Sequence, residues 1–199
     1  MGEMKRICVF CGSSKGNDPV YLEAAYKIGR ILAEKNIEMV YGGGNVGLMG
    51  MAAKGVLENN GKVTGIITEK LSSMEVGHSG LTEMKVTGSM HERKALMNKL
   101  SDGFIVLPGG IGTIEETFEM FTWYQLGDIE KPIGILNVKG FYSGLLEFLK
   151  HVVSEGFLRG EHLEYLLVES DAEKLIERLH DSEIKHLEKW FDREKNIIK

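Results

Sequence analysis

Short apolar runs alternate along the chain with longer stretches in which apolar residues recur every three or four positions. The short runs are typical of buried strands, and the longer stretches are typical of amphipathic helices. The chain is therefore predicted to form seven strands, which are Arg6 to Phe10, Glu38 to Tyr41, Val63 to Ile67, Met84 to Thr87, Phe104 to Leu107, Ile133 to Asn137 and Tyr165 to Val168.

The order of these elements predicts an α/β fold. Strands that alternate with helices pair in parallel, and the helices cover both faces of the sheet in a doubly wound architecture. The run Phe104 to Leu107 contains no polar residue, as a strand buried on both faces requires. No linker or repeat interrupts the pattern, so we predict a single domain over residues 1–199. Its ligand should bind at the carboxyl ends of the strands.

The composition narrows the range of functions. With 199 residues, 43% of them hydrophobic, and a net charge of −5, the chain has the profile of a globular protein. No segment collects Lys and Arg as a nucleic-acid surface would. No apolar run approaches the roughly 18 residues that cross a bilayer, and the first residues enter a strand pattern instead of a signal peptide. We predict a cytoplasmic protein with neither nucleic-acid nor membrane partners.

Cys8 and Cys11 form a C-x-x-C motif. A redox pair would be expected at a helix N-terminus that lowers the thiol pKa. Cys8 instead falls inside an apolar strand, which favours a buried core residue. The six histidines lack metal-ligand spacing, and two cysteines alone cannot form a structural zinc site, so we predict no metal.

Two glycine-rich turns carry the first candidate chemistry. Gly42, Gly44 and Gly47 match G-x-G-x-x-G after the second predicted strand. Such glycines serve a tight turn, a phosphate loop or a dinucleotide site, for which Glu69 would be the ribose acid. The position after the second strand, instead of the first, counts against the dinucleotide site.

The second turn, from Leu107 to Glu116, again joins a buried strand to the start of a helix. Such a helix N-terminus attracts phosphate through its free N–H groups and its dipole. The spacing of Thr113 and Glu116 also fits a capping box. Alternatively, Glu116 would reach the rest of a ligand whose phosphate is held at the turn.

The predicted helix from Ser89 to Leu100 carries the third candidate. Arg93 shares the apolar stripe of this helix, so its side chain should point into the protein and meet an anion there. The anion that pairs with Arg93 would be a core carboxylate, Glu116 or a ligand phosphate. Glu92 and Lys94 lie off the stripe, so they are expected at the surface.

Four segments together resemble the LOG ("Lonely Guy") family of cytokinin riboside 5′-monophosphate phosphoribohydrolases, long mislabelled as lysine decarboxylases. The segments are Cys8 to Ser14, Tyr41 to Gly44, Met90 to Lys94 and Pro108 to Glu116. The resemblance implies a Rossmann-like fold, a homodimer and hydrolysis of the N-glycosidic bond in AMP or N6-substituted analogues. The products would be free base and ribose 5-phosphate, and no cofactor is implied.

The resemblance also assigns residues. Arg93 and Glu116 are expected to be the catalytic pair. Met74 to Gly80 differs from the usual plant sequence, which leaves the choice of base open. The expected substrate-binding residues are Ser13, Gly43, Gly44, Glu75, Lys94, Gly109, Gly110, Ile111, Gly112, Thr113, Ile114, Glu115 and Thr122.

Two other functions remain open on the sequence. One is a nucleotide-binding sensor that uses the same turns without turnover, and the other is an NAD-dependent oxidoreductase built on Gly42 to Gly47. Fold alone does not separate them. A pyridoxal phosphate decarboxylase would need a Schiff-base lysine with partners for the cofactor, and no feature of the sequence indicates one.

The expected dimer interface involves the helices near residues 90 to 125. They carry more large apolar side chains than one sheet face readily covers, although burial in the core is the alternative. These side chains are Met90, Met97, Phe118, Met120, Phe121, Trp123 and Tyr124.

Overall fold

The computed structural model describes residues 4–74, 78 and 80–182. The strands are β1 (Arg6–Phe10), β2 (Glu38–Tyr41), β3 (Val63–Thr68), β4 (Glu83–Thr87), β5 (Gly103–Val106), β6 (Ile133–Leu136) and β7 (Leu166–Glu169). The helices are α1 (Val20–Glu34), α2 (Gly47–Leu57), α3 (Glu69–Met74), α4 (Met90–Leu100), α5 (Ile111–Leu126), α6 (Ser143–Ser154), α7 (Gly160–Leu163) and α8 (Ala172–Asp181), with a 3-10 turn at Val138–Gly140.

These strands form one parallel sheet in the order β4-β3-β2-β1-β5-β6-β7. Every predicted strand is present, and each end lies within one residue of its predicted position. The doubly wound α/β fold is thereby confirmed. The strand order reverses between β1 and β5, because β2 to β4 extend to one side of β1 and β6 and β7 extend to the other.

Two layers of helices cover the sheet. Helices α1, α2 and α8 pack on one face, and α4, α5 and α6 pack on the other. Cys8 lies in the core under α4 and α5, whereas Cys11 lies in the core under α1 and α2. Both thiols are buried and free, and burial raises the pKa of each. The C-x-x-C motif is therefore core, as expected, and not a redox pair.

The path of helix α4 across the sheet places its first turn near the candidate site. It leaves the edge strand β4 and leads to the central strand β5, so it crosses the sheet face over β3, β2 and β1. Its first turn therefore lies near the carboxyl ends of these strands, beside the start of α5.

The apolar residues expected at a dimer interface are mostly buried within this chain. Met97, Met120, Phe121 and Tyr124 are core residues of the α4–α5 face. Only Met90 of the expected group is an exposed side chain. The excess of apolar side chains is thus largely taken up by the core, because the sheet face and α6 cover it. None of the described helices is long and apolar enough to cross a membrane.

Candidate active site

The loops that follow β1 and β5 lie side by side where the strand order reverses. The N–H of Gly12 donates a hydrogen bond of 3.0 Å to the carbonyl of Pro108, which ties the two loops together. A cavity of about 250 Å³ opens there, lined in part by Ser13, Gly109 and Gly110. Doubly wound sheets bind their ligands at this position. Three expected substrate-binding residues therefore share one cavity.

The glycine-rich turn before α2 is occupied by the protein itself. The N–H groups of Leu48 and Met49 both donate to the carbonyl of Gly12, at 3.0 and 3.3 Å. Gly47 has a φ of 60°, and a β-carbon there would lie 2.3 Å from the backbone of Ser13. The acceptor that a dinucleotide phosphate would supply at this helix start is therefore already present in the chain.

The turn before α5 is open in contrast. No described residue accepts a hydrogen bond from the N–H of Ile111, Gly112 or Thr113. A β-carbon on Gly110 or Gly112 would meet nothing within 4 Å apart from the helix's own backbone. Crowding by the chain therefore does not explain glycine at these positions. The open turn leaves room for an anion to approach the free N–H groups.

Thr113 does not cap this helix. The N-cap residue of α5 is Gly110, which places Thr113 in the first turn, where it is buried. A β-carbon on Gly109 would lie 2.1 Å from the Thr113 hydroxyl oxygen, so the turn and this side chain are packed tightly. Glu116 points to Arg93 and not back to the turn. The T-x-x-E spacing therefore forms no capping box.

Three oxygen acceptors hold the side chain of Arg93 near the carboxyl ends of the strands. Its Nε donates to the carbonyl of Ile66 at 2.8 Å, and its Nη2 donates to the carbonyl of Gly42 at 3.3 Å. Its Nη1 donates to Oε1 of Glu116 at 2.9 Å. The side chains of Arg93 and Glu116 are only 9% and 14% exposed. Of the anions expected for Arg93, Glu116 is thus the one that the structure supplies.

The loop after β2 supports this arginine. A β-carbon on Gly42 would lie 2.3 Å from Nη2 of Arg93, so glycine at this position makes room for the guanidinium. Gly43 has a φ of 79° and packs on Ile67. Gly43 and Gly44 are both buried. These two expected substrate-binding residues therefore lie buried in the loop directly after Gly42, the residue whose carbonyl accepts from Arg93.

The surroundings of Glu116 act on its pKa in opposite directions. Burial raises its pKa above the ordinary value of a glutamate, and the ion pair and hydrogen bond with Arg93 oppose that rise. Glu115 raises the pKa further and Lys94 lowers it. Arg93 therefore serves to keep a partly desolvated carboxylate ionised.

Lys94 is not at the surface, so that expectation is wrong. Its side chain is 6% exposed, and its ammonium contacts Oε1 of Glu115 at 2.5 Å and Oε1 of Glu119 at 3.0 Å. The apolar stripe marks only the side of α4 that faces the sheet. Lys94 lies on the side that faces α5, which also buries it.

The remaining expected substrate-binding residues are not grouped around the turn before α5. Ile114 is half-buried in the first turn of α5. Thr122 is exposed, donates its hydroxyl proton to the carbonyl of Phe118, and lies about 9 Å along the helix axis from Glu116. The structure does not bring it to the turn. Glu75 lies outside the described residues.

Sequence reasoning missed Glu119 and the carbonyl of Ile66. Glu119 follows Glu115 by four residues and so lies on the same face of α5, and this spacing could have been recognised in the sequence. The role of Ile66 could not have been recognised there, because its main-chain carbonyl and not its side chain contacts Arg93. Among the described residues, no group of three or more His, Cys, Asp or Glu side chains could hold a metal ion.

Comparison with characterised sequences gives several relatives of similar length. The chain is 44% identical over 184 residues to the cytokinin riboside 5′-monophosphate phosphoribohydrolase LOG1 of Arabidopsis thaliana, covering 92% of this chain and 86% of that protein. It is 43% identical to the phosphoribohydrolase LOG of Oryza sativa subsp. japonica, covering 89% of this chain and 73% of that protein.

Solved structures with the same fold are more distant. A molybdenum cofactor binding protein from the bacterium Rippkaea orientalis superposes with a TM-score of 0.68 at 23% identity, over 90% of this chain and 98% of that chain. The molybdenum cofactor carrier protein of Chlamydomonas reinhardtii also gives a TM-score of 0.68, at 19% identity, over 90% of this chain and all of that one. At these identities the likeness concerns the fold alone.

The family assignment rests on the sequence matches. Residues 49–179 match the family described as "Possible lysine decarboxylase", and the relatives named above are phosphoribohydrolases. The chain therefore belongs to the LOG family.

Proposed function

We propose that this protein hydrolyses the N-glycosidic bond of nucleoside 5′-monophosphates of the AMP type, including N6-substituted analogues. The observation that carries the proposal is the buried Arg93–Glu116 ion pair beside the open N-terminus of α5. One element thus offers both a phosphate site and a carboxylate. The names of the relatives agree with this activity.

The phosphate would bind at the turn before α5. Ile111, Gly112 and Thr113 present free N–H groups there, and the helix dipole adds positive potential. Ser13 lines the same cavity and adds a hydroxyl donor. The ribose would then extend from this turn toward Glu116, which is one turn further along the helix.

Glu116 would act at C1′ of the ribose. When the bond between C1′ and the base nitrogen breaks, its electron pair leaves with the base, which takes up a proton, and positive charge develops on the sugar. An ionised carboxylate stabilises that charge. The oxygen of water then bonds to C1′ and the water gives up one proton, which balances the proton taken up by the base and gives ribose 5-phosphate. Arg93 would fix the carboxylate and keep it ionised.

The two other chemistries fit these residues less well. A dinucleotide at the turn before α2 would compete with the carbonyl of Gly12 for the same N–H groups. A pyridoxal phosphate enzyme needs a lysine that loses its proton. Lys94 lies beside the pair, and burial disfavours its charged form, but hydrogen bonds to Glu115 and Glu119 outweigh burial and raise its pKa. It is thus unsuited to form a Schiff base.

We also propose a homodimer in the cytoplasm. The dimer follows from the resemblance, and exposed Met90, Ile111 and Leu126 support it, since they leave apolar surface on α4 and α5. Thr122, which is exposed, would then be a candidate for contacts that a single chain does not complete. The proposed location rests on the composition of the sequence alone.

The test is incubation of purified protein with AMP, N6-isopentenyl-AMP and adenosine, followed by chromatography for free base. Release from the monophosphates and none from adenosine is expected, because adenosine lacks the group that the α5 turn binds. A protein that binds the monophosphates and releases no base would be the sensor instead.

A further inference from the structure

One buried tyrosine holds the start of the glycine-rich turn before α5. Tyr142 directly precedes α6, and its side chain lies in the core of the α4–α5 face. Its hydroxyl donates a hydrogen bond of 2.8 Å to the carbonyl of Leu107, where the turn begins. Tyr142 is only 3% exposed, so the hydroxyl is directed at the turn and not at solvent.

The carbonyl of Leu107 depends on this hydroxyl. The N–H of Leu107 donates to the carbonyl of Phe10 at 2.9 Å, which continues the pairing of β5 with β1. The next donor on that side, the N–H of Gly12, reaches the carbonyl of Pro108 instead. Among the described residues, no main-chain N–H donates to the carbonyl of Leu107. Leu107 is fully buried, and a buried carbonyl without a donor is costly. Tyr142 supplies that donor.

The turn needs external contacts because its glycines leave the backbone free. Gly109, Gly110 and Gly112 lack the β-carbon that restricts φ and ψ. Around Gly110 and Gly112 there is also no packing that would hold the chain in place. A peptide unit is planar, so the hydrogen bond to the carbonyl of Pro108 also fixes the direction of the N–H of Gly109. The hydroxyl of Tyr142 fixes the peptide unit before that one.

Tyr142 is itself fixed by its neighbours. Its N–H donates to Oδ1 of Asn137 at 2.8 Å, and the N–H of Asn137 donates to the carbonyl of Glu169 at the end of β7, also at 2.8 Å. Burial raises the pKa of the Tyr142 hydroxyl, so the hydroxyl stays protonated and remains a donor. A continuous series of hydrogen bonds thus runs from the edge strand β7 to the turn.

We propose that Tyr142 is a positioning residue of the phosphate site: its hydroxyl fixes the first peptide unit of the turn, so that the free N–H groups at the start of α5 are set for the 5′-phosphate before the nucleotide binds. The inference rests on the proposed function, which places the phosphate at this turn. Donors that are already in place bind an anion more tightly than donors that must be ordered on binding.

The test is Tyr142→Phe, which removes only the hydroxyl, in the Glu116→Gln background so that AMP is not consumed. Titration calorimetry gives the dissociation constant of AMP, and competition against AMP gives that of adenosine. We expect AMP to bind about fivefold more weakly or worse. The affinity for adenosine should change by less than about twofold, because adenosine lacks the phosphate. With Glu116 intact, Tyr142→Phe should raise KM for AMP and change kcat by less than about threefold.

Ser101→Ala is the matched control. Ser101 is also buried, and its hydroxyl donates to a main-chain carbonyl, that of Met97, at 2.8 Å. It lies at the far end of α4, so its loss should lower stability and change neither dissociation constant. If Tyr142 had a structural role alone, Tyr142→Phe would weaken AMP and adenosine by the same factor or leave both unchanged. Either result would overturn the proposal.

A second variant serves if Tyr142→Phe lacks the wild-type circular dichroism. Asn137→Ala removes the acceptor for the N–H of Tyr142 and should weaken AMP more than adenosine, whereas equal effects on the two ligands would contradict the inference. Asn137→Asp keeps an oxygen acceptor and should restore the affinity for AMP.

The binding assay also separates this inference from the proposed function. If the wild-type protein releases no base but Tyr142→Phe weakens AMP alone, the proposed function fails and the role of Tyr142 stands. If the wild-type protein releases base and Tyr142→Phe binds AMP normally, the proposed function stands and the role of Tyr142 fails.

Discussion

The substitution Gly42→Ala tests whether the exact place of the Arg93 guanidinium matters. A β-carbon at this position would lie 2.3 Å from Nη2 of Arg93 and 3.2 Å from the sulfur of Met49. Gly42 does not have a positive φ, so alanine meets no backbone penalty. The perturbation therefore acts on two side chains, and the contact with the arginine is much the closer of the two.

The size of the effect follows from these distances. Ordinary contact needs about 3.5 Å, so the guanidinium must move by about 1.2 Å. Its hydrogen bonds to Glu116 and Ile66 are 2.9 and 2.8 Å long, and a shift of that size breaks them or turns Glu116 with it. A 1 Å misplacement of a catalytic group costs about 100-fold in rate, or about 2.7 kcal/mol.

The assay is the initial rate of base release from AMP, with thermal unfolding measured alongside. Broken hydrogen bonds should cost about 1–3 kcal/mol of stability, which a domain stable by about 5–15 kcal/mol survives largely folded. A 100-fold loss of kcat at 25 °C would then come from the site and not from unfolding.

Gly144→Ala is the matched control. A β-carbon there would meet nothing within 4 Å, and the residue lies in the first turn of α6. It should leave the rate unchanged. If Gly42→Ala keeps wild-type kcat while the protein is folded, the place of Arg93 is not critical and the reasoning is refuted.

Three further predictions address the same site. Glu116→Gln should lower kcat at least 100-fold and change KM for AMP by less than about fivefold, because it removes the charge of the side chain and keeps its shape. Steady-state kinetics in which kcat and KM change by similar factors would contradict this. Gly112→Ala should raise KM for AMP at least tenfold while the melting temperature stays level or rises, since alanine favours the helix but enters the open space before α5; an unchanged KM would place the phosphate elsewhere. Light scattering should give twice the chain mass of 22.2 kDa, and a fully active monomer at micromolar concentration would contradict the dimer.

Most strands were predictable because they are largely apolar runs, with the edge strand β4, which contains Lys85, as the exception. β1 and β2 match the prediction residue for residue, since burial on both faces leaves no polar position inside them. The inward direction of Arg93 was also predictable from its place on the apolar stripe of α4.

The sequence did not reveal which glycine-rich turn is open. Both turns join a strand to a helix, and the difference lies in one carbonyl, that of Gly12, which reaches only the start of α2. Main-chain acceptors of this kind leave no trace in side-chain patterns. The burial of Lys94 was missed for a similar reason, because it depends on the packing of α4 against α5. The periodicity of one helix reports a single buried face.

The most direct test of the central claim is the product balance from AMP. Wild-type protein should release adenine and ribose 5-phosphate in equal amounts without orthophosphate, and Glu116→Gln should release neither at a comparable rate. Adenosine with orthophosphate as the products, or equal rates of base release from both proteins, would contradict the assignment of Glu116 to glycosidic cleavage.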